Sequence, residues 1–225
     1  MNETHQAVLF DLDGTLLDTL DDLARSGNDV LEARGLPTHS RDAYRHFIGC
    51  GMANLVRVIF PEEERPAEGA ETEAILREYR AAYARNWNRT TVPFPGIPEL
   101  LDELCARGIP IGVLSNKSHD FTVKCIEEFL PGWAWTVVFG HREGKPRKPD
   151  PASAHEAAGI LGVDPNRCFY IGDSDVDMQT AKNSGMRAIG VEWGFRPVSE
   201  LQEHGADAIL SEPADLLALL DSAAP

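Results

Sequence analysis

Short, almost wholly apolar runs, each closed by a polar or acidic turn and followed by a helical repeat, limit what this chain can fold into. Ala7–Phe10 (AVLF) is the first such run, and residues 109–114, 136–139, 167–171, 186–191 and 206–210 follow it. Runs without alternating polar residues read as strands buried on both faces, as in parallel sheets. Between them lie amphipathic segments. Residues 98–107 carry Leu100, Leu101 and Leu104 at helical spacing, and residues 122–130 and Ala152–Leu161 behave alike. Strands alternating with helices predict an α/β fold, a Rossmann-like parallel sheet covered on both faces.

One region breaks the alternation. Residues 17–91 show helical patterns only. Leu20, Leu23, Val30 and Leu31 mark one amphipathic helix, and residues 52–60 mark another, closed by Pro61. Residues 70–87 mark a third, with Ile75, Leu76, Tyr79 and Tyr83 along one stripe. Residues 62–69 are a polar linker, and Val92-Pro93-Phe94-Pro95-Gly96 is a stiff return segment. The expected organisation is therefore a catalytic α/β core of residues 1–16 and 92–225. An all-helical cap, residues 17–91, is inserted after the first strand.

The chain has 225 residues and a formal charge of −15. That surface repels nucleic-acid backbones and anionic membranes, so neither is expected as a partner. It also repels a small anionic substrate, which would need a local positive centre. The four cysteines (Cys50, Cys105, Cys125 and Cys168) form no CxxC pair and read as reduced, mostly buried thiols. His5, His39, His141, His155 and His204 show no metal-ligand spacing. The start of the chain has neither a basic segment nor a long apolar run, and no stretch of about 18 apolar residues occurs. A cytoplasmic protein is expected.

Motifs with chemical potential follow the predicted strands, and ligands of open α/β sheets bind beyond the carboxyl ends of strands. Asp11-Leu12-Asp13-Gly14-Thr15 places two carboxylates two residues apart after AVLF. An Asp-Gly turn without chemistry would look the same locally. Ser115-Asn116-Lys117 offers a hydroxyl and backbone amides to a phosphate, although Ser115 or Ser118 would equally cap a helix. Lys148-Pro149-Asp150-Pro151 holds a lysine in a stiff loop, where it either neutralises a phosphoryl group or is simply solvated. In Gly172-Asp173-Ser174-Asp175-Val176-Asp177, a helix starting here would turn Asp173 and Asp177 to one side and leave Asp175 as a helix-start acid.

Asp11, Asp13, Asp173 and Asp177 would then crowd one pocket and resist ionising together. A hard cation with oxygen ligands removes that penalty, and magnesium suits two carboxylates and a phosphate. With Lys148, it also reconciles an acidic protein with an anionic substrate.

In this order, DLDGT, SNK, the lysine of KPDP and GDSDVD resemble the four motifs of the haloacid dehalogenase superfamily. The helical insert resembles its type-1 caps, and His46-Phe47-Ile48-Gly49-Cys50-Gly51 resembles the specificity loop of the phosphoglycolate phosphatase group. The resemblance spans nearly the whole chain. It implies a phosphoric monoester hydrolase that uses Mg2+ and acts on a small phosphorylated metabolite, with 2-phosphoglycolate as the expected substrate, as a monomer or homodimer. It makes Asp11 the nucleophile that forms an aspartyl-phosphate, and Asp13 the acid and base that also lends its backbone carbonyl to the metal. Thr15 would orient Asp13. Ser115 and the Asn116 amide would hold phosphate oxygens, and Lys148 would offset charge. Asp11, Asp13 and Asp173 would ligate the metal, with Asp177 ordering its surroundings. Gly49 and Gly51 would lie in the substrate loop. The presence of Asp13 argues against dehalogenase and phosphonatase chemistry. A sugar phosphomutase of the β-phosphoglucomutase kind shares the core motifs, and a non-catalytic phosphate sensor would use the same fold.

Overall fold

The computed structural model describes residues 6–222; His5 and the start of the chain fall outside them. Two compact units emerge, Met1–Leu17 with Pro93–Pro225, and Asp18–Val92.

The first unit opens with strand β1 (Ala7–Phe10), whose four residues are all fully buried. The chain leaves it through β2 (Leu17–Asp18) and returns through β3 (Val92–Pro93), and these two short strands pair with each other. Residues 17–91 thus carry strand pairing at their first residues, where only helix was expected. The remaining elements of this unit lie between Ile97 and Ser222. They are α5 (Ile97–Ala106), β4 (Ile111–Ser118), α6 (His119–Phe129), β5 (Trp135–His141) and α7 (Ala152–Leu161), then a 3-10 turn (Pro165–Arg167), β6 (Cys168–Gly172), α8 (Asp175–Ser184), β7 (Arg187–Val191), α9 (Val198–Glu203), β8 (Ala208–Leu210) and α10 (Asp215–Ser222).

The six long-range strands form one parallel sheet in the order β5-β4-β1-β6-β7-β8. The fold is α/β, as the alternation predicts. Because side chains alternate across a strand, Ala7 and Leu9 of β1 join Leu114 and Tyr170 on one face, covered by Ala154, Ala157, Ala158 and Leu161 of α7 and by Met178 and Ala181 of α8. The small side chains of α7 let that helix approach the sheet closely. Val8, Phe10, Phe169 and Ile171 alternate with these residues and are buried too. Burying one leucine or phenylalanine side chain contributes about 1.5–3 kcal/mol, so covering both faces is the main source of stability here.

Strand order reverses around β1. The chain builds outward through β4 and β5, then returns to the other side of β1 with β6. That reversal opens a crevice beyond the carboxyl ends of β4, β1 and β6.

The second unit holds α1 (Leu20–Glu32), α2 (Arg41–Phe47), α3 (Met52–Val58) and α4 (Ala70–Asn86). The linker expected over residues 62–69 begins with a 3-10 turn, Glu62–Glu64. Tyr44, Tyr79 and Tyr83 are fully buried in this unit. Asp22 is also buried, yet it accepts from the amide and hydroxyl of Thr90 (3.0 and 2.7 Å) and of Thr91 (3.0 and 2.8 Å). Burial pushes its carboxyl up, but these bonds outweigh burial and hold it below the ordinary range. Asn86 adds a bond to Ser26 (3.3 Å) and one to Asp29 (2.9 Å), tying the end of α4 to α1.

No helix among the described residues is long and apolar enough to cross a membrane. The cysteines divide evenly: Cys125 and Cys168 are buried, whereas Cys50 and Cys105 are exposed, contrary to the expectation of mostly buried thiols. Cys105 lies on the outward side of α5, whose buried stripe is Ile97, Leu100, Leu101 and Leu104.

Candidate active site

β1 ends where its neighbour holds it: the Asp11 amide donates to the carbonyl of Ile171 in β6 at 2.9 Å. The Asp11 carboxylate therefore starts from a fixed backbone at the crevice. Gly14 then turns with φ of +87°, and a Cβ there would collide with the Asp173 carboxylate. The first and fourth motifs meet at this glycine.

After β6, Ser174 caps α8 in a reciprocal capping box with Asp177. Asp177 Oδ2 accepts from the Ser174 amide (3.1 Å) and hydroxyl (2.6 Å). This fixes Asp177 so that its other oxygen faces Lys148. The Lys148 ammonium lies 2.6 Å from Asp177 Oδ1 and 2.9 Å from Asp11 Oδ1, with all three side chains at most 9% exposed. Lys148 meets Asp11 as an ion pair, and apart from that ammonium Asp11 Oδ1 is buried without a hydrogen-bond partner among the described residues. Asp175 instead faces along α8 and accepts from Gln179.

Asp11, Asp173 and Asp177 each present an oxygen within 4.8 Å of the others. Burial pushes Asp11 up to about 6, against the pull of Lys148 and with a further push from Asp177 and Asp13. Burial, then Asp177 and Asp11, also hold Asp173 well above the usual carboxylate range. Burial would depress the Lys148 ammonium, but Asp11 and Asp177 hold it well above its ordinary value. Crowded, oxygen-only and partly reluctant to ionise, the cluster fits a hard divalent cation, with Asp11 and Asp173 as ligands and Asp177 tied into the lysine and the capping box.

Asp13 stands apart from that cluster. Its two oxygens lie 2.8 and 3.1 Å from the ammonium of Lys117. Thr15 is fully buried, and its backbone carbonyl accepts from the Trp193 indole at 3.0 Å. Ser115 is buried within β4, three residues before its end, and accepts from the Lys117 amide at 3.3 Å. Asn116 uses its side chain to clasp the Lys148 backbone, accepting from its amide (2.9 Å) and donating to its carbonyl (3.1 Å). Gly49 and Gly51 flank Cys50 between α2 and α3, with φ of +116° and +84°, in the helical unit.

The crevice therefore gathers Asp11, Asp13, Thr15, Ser115, Asn116, Lys148, Asp173 and Asp177 on one unit. Sequence reasoning gave no role to three further features. Lys117 had one available signal, its place two residues beyond Ser115 in the same motif. The Asn116 side chain and the Trp193-Gly194-Phe195 turn had none. In that turn the Phe195 amide donates to Asp173 at 2.7 Å.

A family model for haloacid dehalogenase-like hydrolases matches residues 8–191. A phosphoglycolate phosphatase of Aquifex aeolicus is 30% identical over 96% of this chain and 97% of its own length. An N-acetylmuramic acid 6-phosphate phosphatase of Pseudomonas aeruginosa is 30% identical over 97% of this chain and 96% of its own. Among solved structures, a candidate phosphoglycolate phosphatase of Lactobacillus delbrueckii subsp. bulgaricus superposes with a TM-score of 0.86 at 34% identity, covering 96% of this chain and 98% of that one.

Proposed function

The chain belongs to the haloacid dehalogenase-like hydrolases, and from that membership we propose that it is a magnesium-dependent phosphatase of small phosphomonoesters, with 2-phosphoglycolate as its substrate. The observation that carries the reading is the buried Asp11 carboxylate, 2.9 Å from the Lys148 ammonium and within 4.8 Å of Asp173 and Asp177. Desolvation leaves such a carboxylate nucleophilic, and the neighbouring positive charge favours an approaching phosphoryl group.

In the first step a carboxylate oxygen of Asp11 forms a bond to phosphorus while the bond from phosphorus to the ester oxygen breaks. Asp13 gives its proton to that leaving oxygen, and the alcohol departs. In the second step Asp13 takes a proton from water, whose oxygen attacks the aspartyl-phosphate. The bond between phosphorus and Asp11 breaks, inorganic phosphate leaves, and Asp11 is regenerated. Ser115 and the Asn116 amide hold phosphoryl oxygens, and Lys148 offsets their charge in both steps. Thr15 keeps the loop bearing Asp13 in place. Asp11, the Asp13 carbonyl and Asp173 would hold magnesium, which would supply further positive charge at the site. The turn containing Gly49 and Gly51 is assigned the choice among esters, on the strength of its sequence.

The test is phosphate release from 2-phosphoglycolate, N-acetylmuramic acid 6-phosphate, hexose phosphates and nucleotides, with magnesium and with a chelator. Magnesium-dependent release led by 2-phosphoglycolate is expected. A lead by the sugar 6-phosphate would replace the substrate and keep the mechanism. No release from any ester would sink the phosphatase reading.

A further inference from the structure

We propose that Lys117 is a positioning residue for Asp13, holding that carboxylate out of the metal-type cluster so that it serves proton transfer alone. The inference rests on the phosphatase reading above. Four carboxylates converge at the end of β1 and β6, yet among the described residues only Asp11, Asp173 and Asp177 bring oxygens within 4.8 Å of one another. Asp13 is instead clasped through both oxygens by the Lys117 ammonium at 2.8 and 3.1 Å. The lysine side chain is 1% exposed, and that of Asp13 13%.

The pairing has a structural origin. β4 continues as an extended strand through the polar residues to Ser118, and Ser118 pairs with His141 of β5. The ladder with β5 is irregular between Leu114 and Ser118, and within that stretch Ser115 accepts from the Lys117 amide at 3.3 Å while the Lys117 ammonium reaches Asp13. A buried lysine commits its charge to a partner, because an unpaired buried ammonium is strongly disfavoured. Lys148 is already engaged with Asp11 and Asp177. The two lysines thus sort the carboxylates: Lys148 belongs to the nucleophile, Lys117 to the proton carrier. Lys117 also acts through Asp13 rather than on phosphorus, which distinguishes it from a charge-neutralising lysine.

This division predicts a dependence on leaving group. An alkoxide needs a proton as it departs, whereas 2,4-dinitrophenolate does not. kcat/KM reports the steps through formation of the aspartyl-phosphate. It would be measured with saturating magnesium for 2-phosphoglycolate, for its carboxylate-free analogue ethyl phosphate, and for 2,4-dinitrophenyl phosphate. Lys117→Met is expected to lose about 100-fold on both alkyl esters, the lower end of general-acid contributions, and less than about tenfold on the dinitrophenyl ester. Asp13→Asn should show the same pattern, and Lys117→Arg should recover part of the loss. If the methionine variant fails to fold, Lys117→Gln is read in the same way. Equal losses on all three esters would mean a merely structural lysine and overturn the proposal. A loss confined to 2-phosphoglycolate would mean that Lys117 binds the substrate carboxylate, which also overturns it. So would undiminished activity on all three. Failure of the wild-type protein to hydrolyse any ester would instead remove the phosphatase reading on which the proposal rests.

Discussion

The ammonium of Lys148 sits 2.6 Å from Oδ1 of Asp177, closer than the 2.9 Å that separates it from Asp11. The tighter contact is with the residue that forms no bond to phosphorus in the proposed reaction. Asp177 is anchored in turn by the capping box at the start of α8, so the helix sets the lysine, and the lysine faces the nucleophile. Asn116 fixes the lysine backbone from the other side.

Lys148→Met should therefore act twice. It removes the cation from the phosphoryl site and leaves two buried carboxylates without it. Phosphate release is expected to fall about 100- to 1,000-fold, as for other preorganised electrostatic groups. Breaking a buried pair costs about 3–5 kcal/mol, which should appear as a lower urea midpoint. Lys148→Arg should not restore activity, since a planar fork does not replace an ammonium wedged between two carboxylates.

Asp11 gives a pH prediction with a definite sign. Its carboxyl is raised from 3.8 to about 6, so the folded protein binds a proton between those values that the unfolded chain releases. Without a cation, the ionised group opposes folding above pH 6, and the opposition fades as the pH falls towards 3.8. In chelator at pH 7.5, Asp11→Asn should melt at a higher temperature than the wild type, and the gap should shrink by pH 4.5. Magnesium should raise the wild-type Tm at pH 7.5 and less at pH 5, while leaving Asp11→Asn nearly unaffected. Phosphate release by Asp11→Asn should be abolished.

Legibility in the sequence followed the range of the interactions. Ala7–Phe10 and Ala152–Leu161 were readable to the residue, because an uninterrupted apolar run and a small-residue helical stripe are local signals. The run at 109–114 instead becomes Ile111–Ser118: Ser115, Asn116 and Lys117 carry no apolar signature, yet continue as strand. Helix α2 lies in the stretch read as helical but carries no apolar stripe that would mark its bounds, because Arg41–Phe47 is largely polar and Tyr44 alone is buried. The acidic motifs were legible as motifs. The partnership of Asp13 with Lys117 was not, since 104 residues separate them and only the strand order brings them together.

The Trp193-Gly194-Phe195 turn should be intolerant of bulk for a reason that sequence reading did not supply. A Cβ on Gly194 would collide with the Asp173 side chain and stand 2.8 Å from the Gly14 carbonyl. Gly194→Ala must push the turn away and weaken the bond from the Phe195 amide to Asp173. Magnesium affinity, followed as the Tm shift on titration, should drop about 10- to 100-fold, as for other groups that orient metal ligands. Unchanged affinity would mean that the turn does not orient Asp173.

Asp22 offers a prediction confined to the helical unit. Its two oxygens receive two amides and two hydroxyls, from Thr90 and Thr91. Asn at this position keeps one acceptor oxygen and turns an NH2 group towards donors. Hydrogen bonds to charged groups contribute about 1.5–3 kcal/mol each, and losing part of this set should destabilise the unit by about 2–4 kcal/mol. The carboxyl is held below its ordinary value of 3.8, so its stabilisation is complete above that pH and is lost as the pH falls through the lowered value. The difference between wild type and Asp22→Asn should therefore be full at pH 7 and narrow below pH 3.8. Urea unfolding followed at both pH values decides it. A gap that stays constant with pH would assign the loss to packing rather than to the charged clasp.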